Sequence, residues 1–170
     1  GKAAQSDRDL VTAQRLLEVC VDDAAGLRAA IEGGADRIEL CAALALGGLT
    51  PSQGLMSLAA RSPVPVYAMI RPRAGDFRFD LFEAEIMTRD IEAVRDAGLA
   101  GVVLGASLSD DGLDFGLLER LCLAADGLGR TLHRAFDLTG PRFAAAIDEA
   151  VALGFERILT SGGTRSATEG

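Results

Sequence analysis

The stretch "DRIELC", Asp36 to Cys41, alternates: Ile38 and Leu40 are apolar, while Glu39 and Cys41 fall on the positions between them. Successive side chains of a strand point to opposite faces, so this segment turns an apolar row one way and a polar row the other. "RLLEVC", Arg15 to Cys20, repeats the pattern with Glu18 between Leu17 and Val19, and "RTLHRA", 130–135, carries His133 in the same manner. A central strand of an open sheet covered by helices on both faces reads as a near-continuous apolar run. These strands do not, and a polar inner side suits a barrel with a site inside it.

Outward from these strands the chain alternates β-type runs with helical periodicity, punctuated by Gly, Pro and Asp. The further strands are "VPVYAMI", "GVVLG" and "FERILT". Helices are expected from an Asp22 cap to Ile31, from a Thr50 cap with Pro51 in the first turn to about Arg61, and over 81–96, closed by Gly98. Two more run from Asp114 to about Ala125 and from Pro141 onward, with Phe136 to Gly140 as a loop. Each crossover contains a helix, so the strands are parallel and the fold class is α/β. The reading is a TIM-type (β/α) barrel over residues 15–170 with about six of the usual eight strand-helix units, since a full barrel takes ~250 residues. Its open edges call either for the rest of a longer protein or for another chain to cover them. Residues 1–14 are polar and aperiodic and start at Gly1; they read as a disordered or tag-derived leader.

Composition narrows the function. The formal charge of −8 and a pI near 4.6 oppose phosphate backbones, and Lys2 is the single lysine, so nucleic acid is not an expected partner. The sequence is 49% hydrophobic, yet no apolar run approaches the ~20 residues of a membrane span. Cys20, Cys41 and Cys122 are odd in number, far apart and without CxxC spacing, which fits a reducing cytoplasm. Cys122 falls in a helix and reads as packing.

In parallel α/β folds the chemistry sits beyond the carboxyl ends of the strands. There Glu18 and Cys20 recur as Glu39 and Cys41, and neighbouring strands in similar register would cluster all four at one rim. Two thiolates suit Cu(I), but on spacing alone the commoner role of such cysteines is that of small apolar fillers. Glu18 and Glu39 read either as a general acid/base pair or as counter-ions of buried arginine. "MIRPRAGDF", Met69 to Phe77, presents two guanidiniums. Arg71 is expected to point at the strand-end carboxylates and Arg73 to reach an anionic ligand, or the loop is simply pinned by Arg71-Glu and Arg73-Asp76 pairs. His133, the sole histidine, reads as a proton-transfer residue, a metal ligand or a satisfied core residue. "TSGG", 160–163, offers hydroxyls and N–H groups for an anion. Asp137, Ser161 and Gly162 therefore join Arg71 and Arg73 as candidate ligand contacts.

The set "ELCAA", "GGLTPS", "MIRPRAGDF", "HRAFD" and "LTSGG", in this order, resembles the copper homeostasis protein CutC family from about Leu16 to Gly170. The resemblance implies a TIM-like barrel, a cytoplasmic protein forming homo-oligomers, and a copper-handling role with Cys20 and Cys41 as ligands. It also implies two further strand-helix units after "TSGG", absent from this sequence. The alternative is a barrel enzyme acting on a small anionic, phosphorylated or carboxylated metabolite, with Glu18, Glu39 and His133 as its catalytic groups.

Overall fold

The computed structural model describes residues 15–170. The expectation for residues 1–14 lies outside the described residues. The chain runs β1 (Glu18–Val21), α1 (Ala24–Glu32), β2 (Arg37–Leu40), α2 (Gln53–Ala59), β3 (Val66–Met69), α3 (Leu81–Ala97), β4 (Gly101–Leu104), α4 (Phe115–Ala124), β5 (Gly129–Leu132), α5 (Phe143–Ala152) and β6 (Arg157–Ile158). These six strands pair in parallel throughout and the sheet order is β1-β2-β3-β4-β5-β6. A doubly wound sheet reverses its strand order at a switch point. Here the order never reverses, so the sheet is six strands of a half-barrel.

The alternation in "DRIELC" sorts as its chemistry requires. Ile38, Leu40, Val66, Ala68, Val102, Leu104 and Leu132 point to the helix layer and pack there with Met87, Ile91, Val94, Leu118 and Leu121. Burying each of these large side chains is worth ~1.5–3 kcal/mol, which fixes which face of each strand turns inward. A one-residue slip would drive Glu39 into that layer. Cys122 is buried in the same core, in the packing role expected of it.

Local chemistry sets the ends of the helices. Asp80 caps α3 through the Glu83 amide, and Glu83 returns a bond to the Asp80 amide; Gly98 closes the helix in the left-handed conformation. Elsewhere the expected caps shift. Asp23, not Asp22, caps α1, because Asp22 accepts the Leu44 amide across the strand ends. Ser52, not Thr50, caps α2, which stops at Ala59; the Thr50 hydroxyl accepts the Arg71 amide instead. His133 follows β5 rather than lying inside it, and the expected loop over Phe136 to Gly140 belongs to 3-10 turns over Arg134–Arg142, broken at Gly140. Pro141 falls within those turns, before α5 begins.

Candidate functional site

The inward row of β1 and β2 carries Glu18, Cys20, Arg37, Glu39 and Cys41. Pairing is staggered: Glu18 lies opposite Arg37, and Cys20 opposite Glu39. The two Glu-x-Cys repeats are therefore one pleat out of step, and the expected in-register cluster of four groups does not form. Glu18 ion-pairs with Arg37, which is the counter-ion role. Arg37 and Arg157 flank the Tyr67 ring, their guanidinium carbons 5.8 and 4.4 Å from its centroid, and the Tyr67 hydroxyl lies 3.2 Å from Glu156 Oε2.

The stagger instead sets Glu39 between two thiols. Cys20 Sγ and Cys41 Sγ both donate to Glu39 Oε1, at 3.4 and 3.7 Å. Cys20 belongs to an exposed residue and Cys41 to a buried one, and both are free thiols. Burial, then the Glu39 carboxylate, pushes the Cys20 thiol up to about 12 and Cys41 higher still. Burial, then the Glu18 charge, also raises Glu39, against the bonds from the thiols and the pull of Arg37. The two thiols are thus held in their protonated forms at neutral pH, and Glu39 is shifted in the direction of its neutral form. Among the described residues no set of three or more His, Cys, Asp or Glu side chains is placed to hold a metal ion. Two thiols alone do not meet the four-ligand demand of zinc, but they suit a two-coordinate soft ion such as Cu(I).

Arg71 is buried and points inward, but not to a carboxylate. Its Nη1 donates to Leu46 O and Gly48 O at 3.1 and 3.3 Å, and its Nη2 to Gly75 O at 2.7 Å. In place of the expected contact with Glu18 or Glu39, carbonyls of the 44–48 turn and of Gly75 take up the guanidinium. Arg73 is partly exposed but bonds within the chain: it pairs with Glu83 and Asp76 and donates to Arg78 O. The Arg73-Asp76 pair is the pinned-loop alternative, and no donor of Arg73 is left for a ligand.

His133 sits 3% exposed, its ring 4.6 Å from that of Phe77, which also lies 4.9 Å from the Arg71 guanidinium carbon. Burial, reinforced by the Arg71 charge, lowers its pKa to about 3. The imidazole is neutral at physiological pH. At "TSGG" the turn is filled from within. Asp137 accepts the Ser161 and Gly163 amides, the Thr160 and Ser161 hydroxyls, and Arg134 Nε. Burial opposes ionisation, but the bonds from Thr160 and Arg134 and the two amides outweigh it and hold Asp137 at about 2. The Gly162 amide is spent on the Thr160 hydroxyl.

Sequence reasoning missed Ser107. Gly101, Val103 and Gly105 lead to it on the inward row of β4, so counting by twos beyond the strand was the available signal. Among the described residues six side-chain atoms are buried without a hydrogen-bond partner: Glu39 Oε2, Arg71 Nε, Ser107 Oγ and His133 Nε2 toward the carboxyl ends of the strands, and Arg130 Nε and Arg157 Nη2 on β5 and β6.

The CutC family profile matches residues 15–170. A CutC family protein of Sinorhizobium medicae is 66% identical over 154 residues, covering 91% of this chain and 62% of the relative; that of Rhizobium meliloti is 67% identical over 153 residues, again covering 62% of the relative. The chain thus spans less than two thirds of the length of these relatives. Among solved structures, the putative copper homeostasis protein CutC from Streptococcus agalactiae superposes with a TM-score of 0.84 at 35% identity, covering 89% of this chain and 75% of that one. A putative phosphonomutase from Burkholderia cenocepacia, TM-score 0.59 at 19% identity, shares the fold.

Proposed function

We propose, from the premise that this chain belongs to the CutC family, that it binds and passes on Cu(I) as cargo at the Cys20-Cys41 thiol pair. One observation supports the reading: both thiols of the expected ligand pair bond a single oxygen of Glu39. Arg73, Asp137 and the "TSGG" amides, the alternative anion contacts, are already engaged by the chain itself. Thiols held protonated make binding proton-coupled, since each must lose its proton to ligate. Such a site takes up the ion reversibly as pH and competing thiols change, as a handling protein requires. The reading extends to a cytoplasmic homo-oligomer. Three unpaired cysteines suit a reducing compartment, and exposed Leu81, Phe82 and Ile86 on α3 form an apolar surface of the kind a second copy covers. The test is Cu(I) titration against a competing chelator. Cys20→Ala and Cys41→Ala each weaken binding, and the wild-type affinity rises with pH; unchanged affinity in both variants refutes the proposal.

A second reading, a barrel enzyme for a small anionic metabolite, is favoured by the four unpartnered buried atoms at the strand ends. Nearly all buried polar groups in native proteins find partners, so exceptions gathered toward the strand ends support a ligand there.

A further inference from the structure

Three of the atoms at the strand ends are hydrogen-bond donors, on residues that each contact Phe77. His133 Nδ1 accepts the Ala135 amide at 3.1 Å. A backbone N–H only donates, so Nδ1 holds a lone pair and the proton of the neutral ring sits on Nε2. That Nε2–H has no acceptor. Arg71 spends Nη1 and Nη2 on three carbonyls and leaves Nε–H free, with no carboxylate bonded to its charge. Ser107 is fixed by its amide to Phe77 O at 2.9 Å, and its hydroxyl is unpartnered.

The three are joined by Phe77, whose ring contacts Arg71 and His133 while its carbonyl holds Ser107. They are 6%, 3% and 3% exposed, so each leaves water without an internal replacement. Gly105 makes room for the imidazole: a Cβ there would stand 2.5 Å from Cε1 and 2.6 Å from Nδ1 of His133.

We propose that Arg71 Nε–H, His133 Nε2–H and Ser107 Oγ–H together bind the carboxylate end of a small molecule, with His133 as a fixed hydrogen-bond donor rather than a proton shuttle. The inference rests on the second reading above and names its ligand class. One guanidinium charge and three donors match the single charge and two oxygens of a carboxylate. A phosphate monoester brings nearly twice that charge and three acceptor oxygens. The backbone turn best suited to it is occupied by the Asp137 carboxylate.

The sole histidine gives a direct probe. Imidazole 15N spectra of the purified chain report the tautomer, His133→Gln assigns the signals, and acetate, lactate and inorganic phosphate are added at matched ionic strength. The expected result is a proton on Nε2 that shifts with acetate or lactate, a rise in Tm with the same anions, and neither response to phosphate. His133→Gln places an amide donor near the Nε2 position and keeps binding; His133→Leu and Ser107→Ala each lose about tenfold, the cost of one charge-assisted bond. A proton on Nδ1, or carboxylate binding unchanged in both donor-deleting variants, overturns the proposal. Binding of phosphate in preference to acetate and lactate overturns the carboxylate assignment while the second reading stands. No response to any of the three anions defeats the second reading and the proposal with it.

Discussion

Lowering the pH from 7 to 4.5 destabilises this protein through His133, and His133→Gln removes that part of the loss. In the unfolded chain the imidazole protonates at its ordinary 6.5; in the folded protein burial and the Arg71 charge hold it neutral down to about 3. Between those values the unfolded state binds one more proton, so stability falls as pH falls. Above 6.5 the residue is neutral in both states and contributes nothing to the pH dependence. Each unit is worth ~1.36 kcal/mol, so two units below 6.5 the loss reaches ~2.7 kcal/mol. Glu39 acts in the opposite sense. Its raised carboxyl contributes stability that is complete below its unfolded pKa and is lost as pH rises through the folded value. Glu39 and the other carboxylates are present in wild type and variant alike, so the difference between the two isolates the histidine. Urea denaturation at pH 7 and pH 4.5 supplies the measurement, with unchanged m-values as the check on two-state behaviour. His133→Gln is expected to lose ~2–3 kcal/mol less than wild type across this interval. Parallel losses in the two proteins would show that the ring charges in the folded state, and the fixed donor role of Nε2 would fall with it.

Two further perturbations test the interior. Gly129→Ala puts a methyl group 2.7 and 2.8 Å from Cε1 and Cζ of Tyr67 and costs ~1–3 kcal/mol by overpacking. Most of that returns in a Tyr67→Val background, so a double-mutant cycle by urea denaturation that shows simple additivity would contradict the packing. Asp137→Asn removes the charged acceptor that holds the 160–164 turn and costs ~1–2 kcal/mol at pH 7. Because the folded Asp137 pKa is depressed, its contribution is present above the unfolded value and lost as pH falls toward about 2; a gap between wild type and variant that fails to narrow below about pH 4 would rule the mechanism out.

The fold was legible because its signal is periodic. Ile38 and Leu40 against Glu39 and Cys41 specify which face packs, and each helix between strands forces parallel pairing. Sequence alternation even predicted that Arg71 and His133 would turn inward. What it did not contain was register. Identical Glu-x-Cys spacing in β1 and β2 suggests side-by-side pairing, but the strands meet one pleat out of step, and only then does Glu39 come to lie between two thiols. Caps slipped by a residue or two for a related reason. Asp22 and Thr50 are competent cap residues, yet tertiary partners, the Leu44 and Arg71 amides, claimed their oxygens. Ser107 was missed because the inward row was not counted past "GVVLG", the expected end of the strand.

Arginine at a strand end reads as a trap for anions, and donor by donor this chain shows why that inference needs the fold. A guanidinium has five N–H groups. Arg73 spends its own on Glu83, Asp76 and the carbonyls of Ala74, Asp76 and Arg78. Arg134 bonds Asp137, Ser161 and the Thr164 carbonyl through Nε and Nη2, and Arg142 bonds Asp110 through Nη1 and Nη2. In a protein of net charge −8 these residues find acids and carbonyls close at hand, and their energy goes into holding loops in place. Arg71 differs because its three bonded carbonyls are neutral, so its charge is held rigidly without being cancelled by a bonded acid. The same fixed positive charge helps keep the neighbouring imidazole neutral. A guanidinium left uncompensated and a histidine left as a donor therefore follow from one local arrangement, the placing of Arg71 among backbone oxygens rather than beside Glu18 or Glu39.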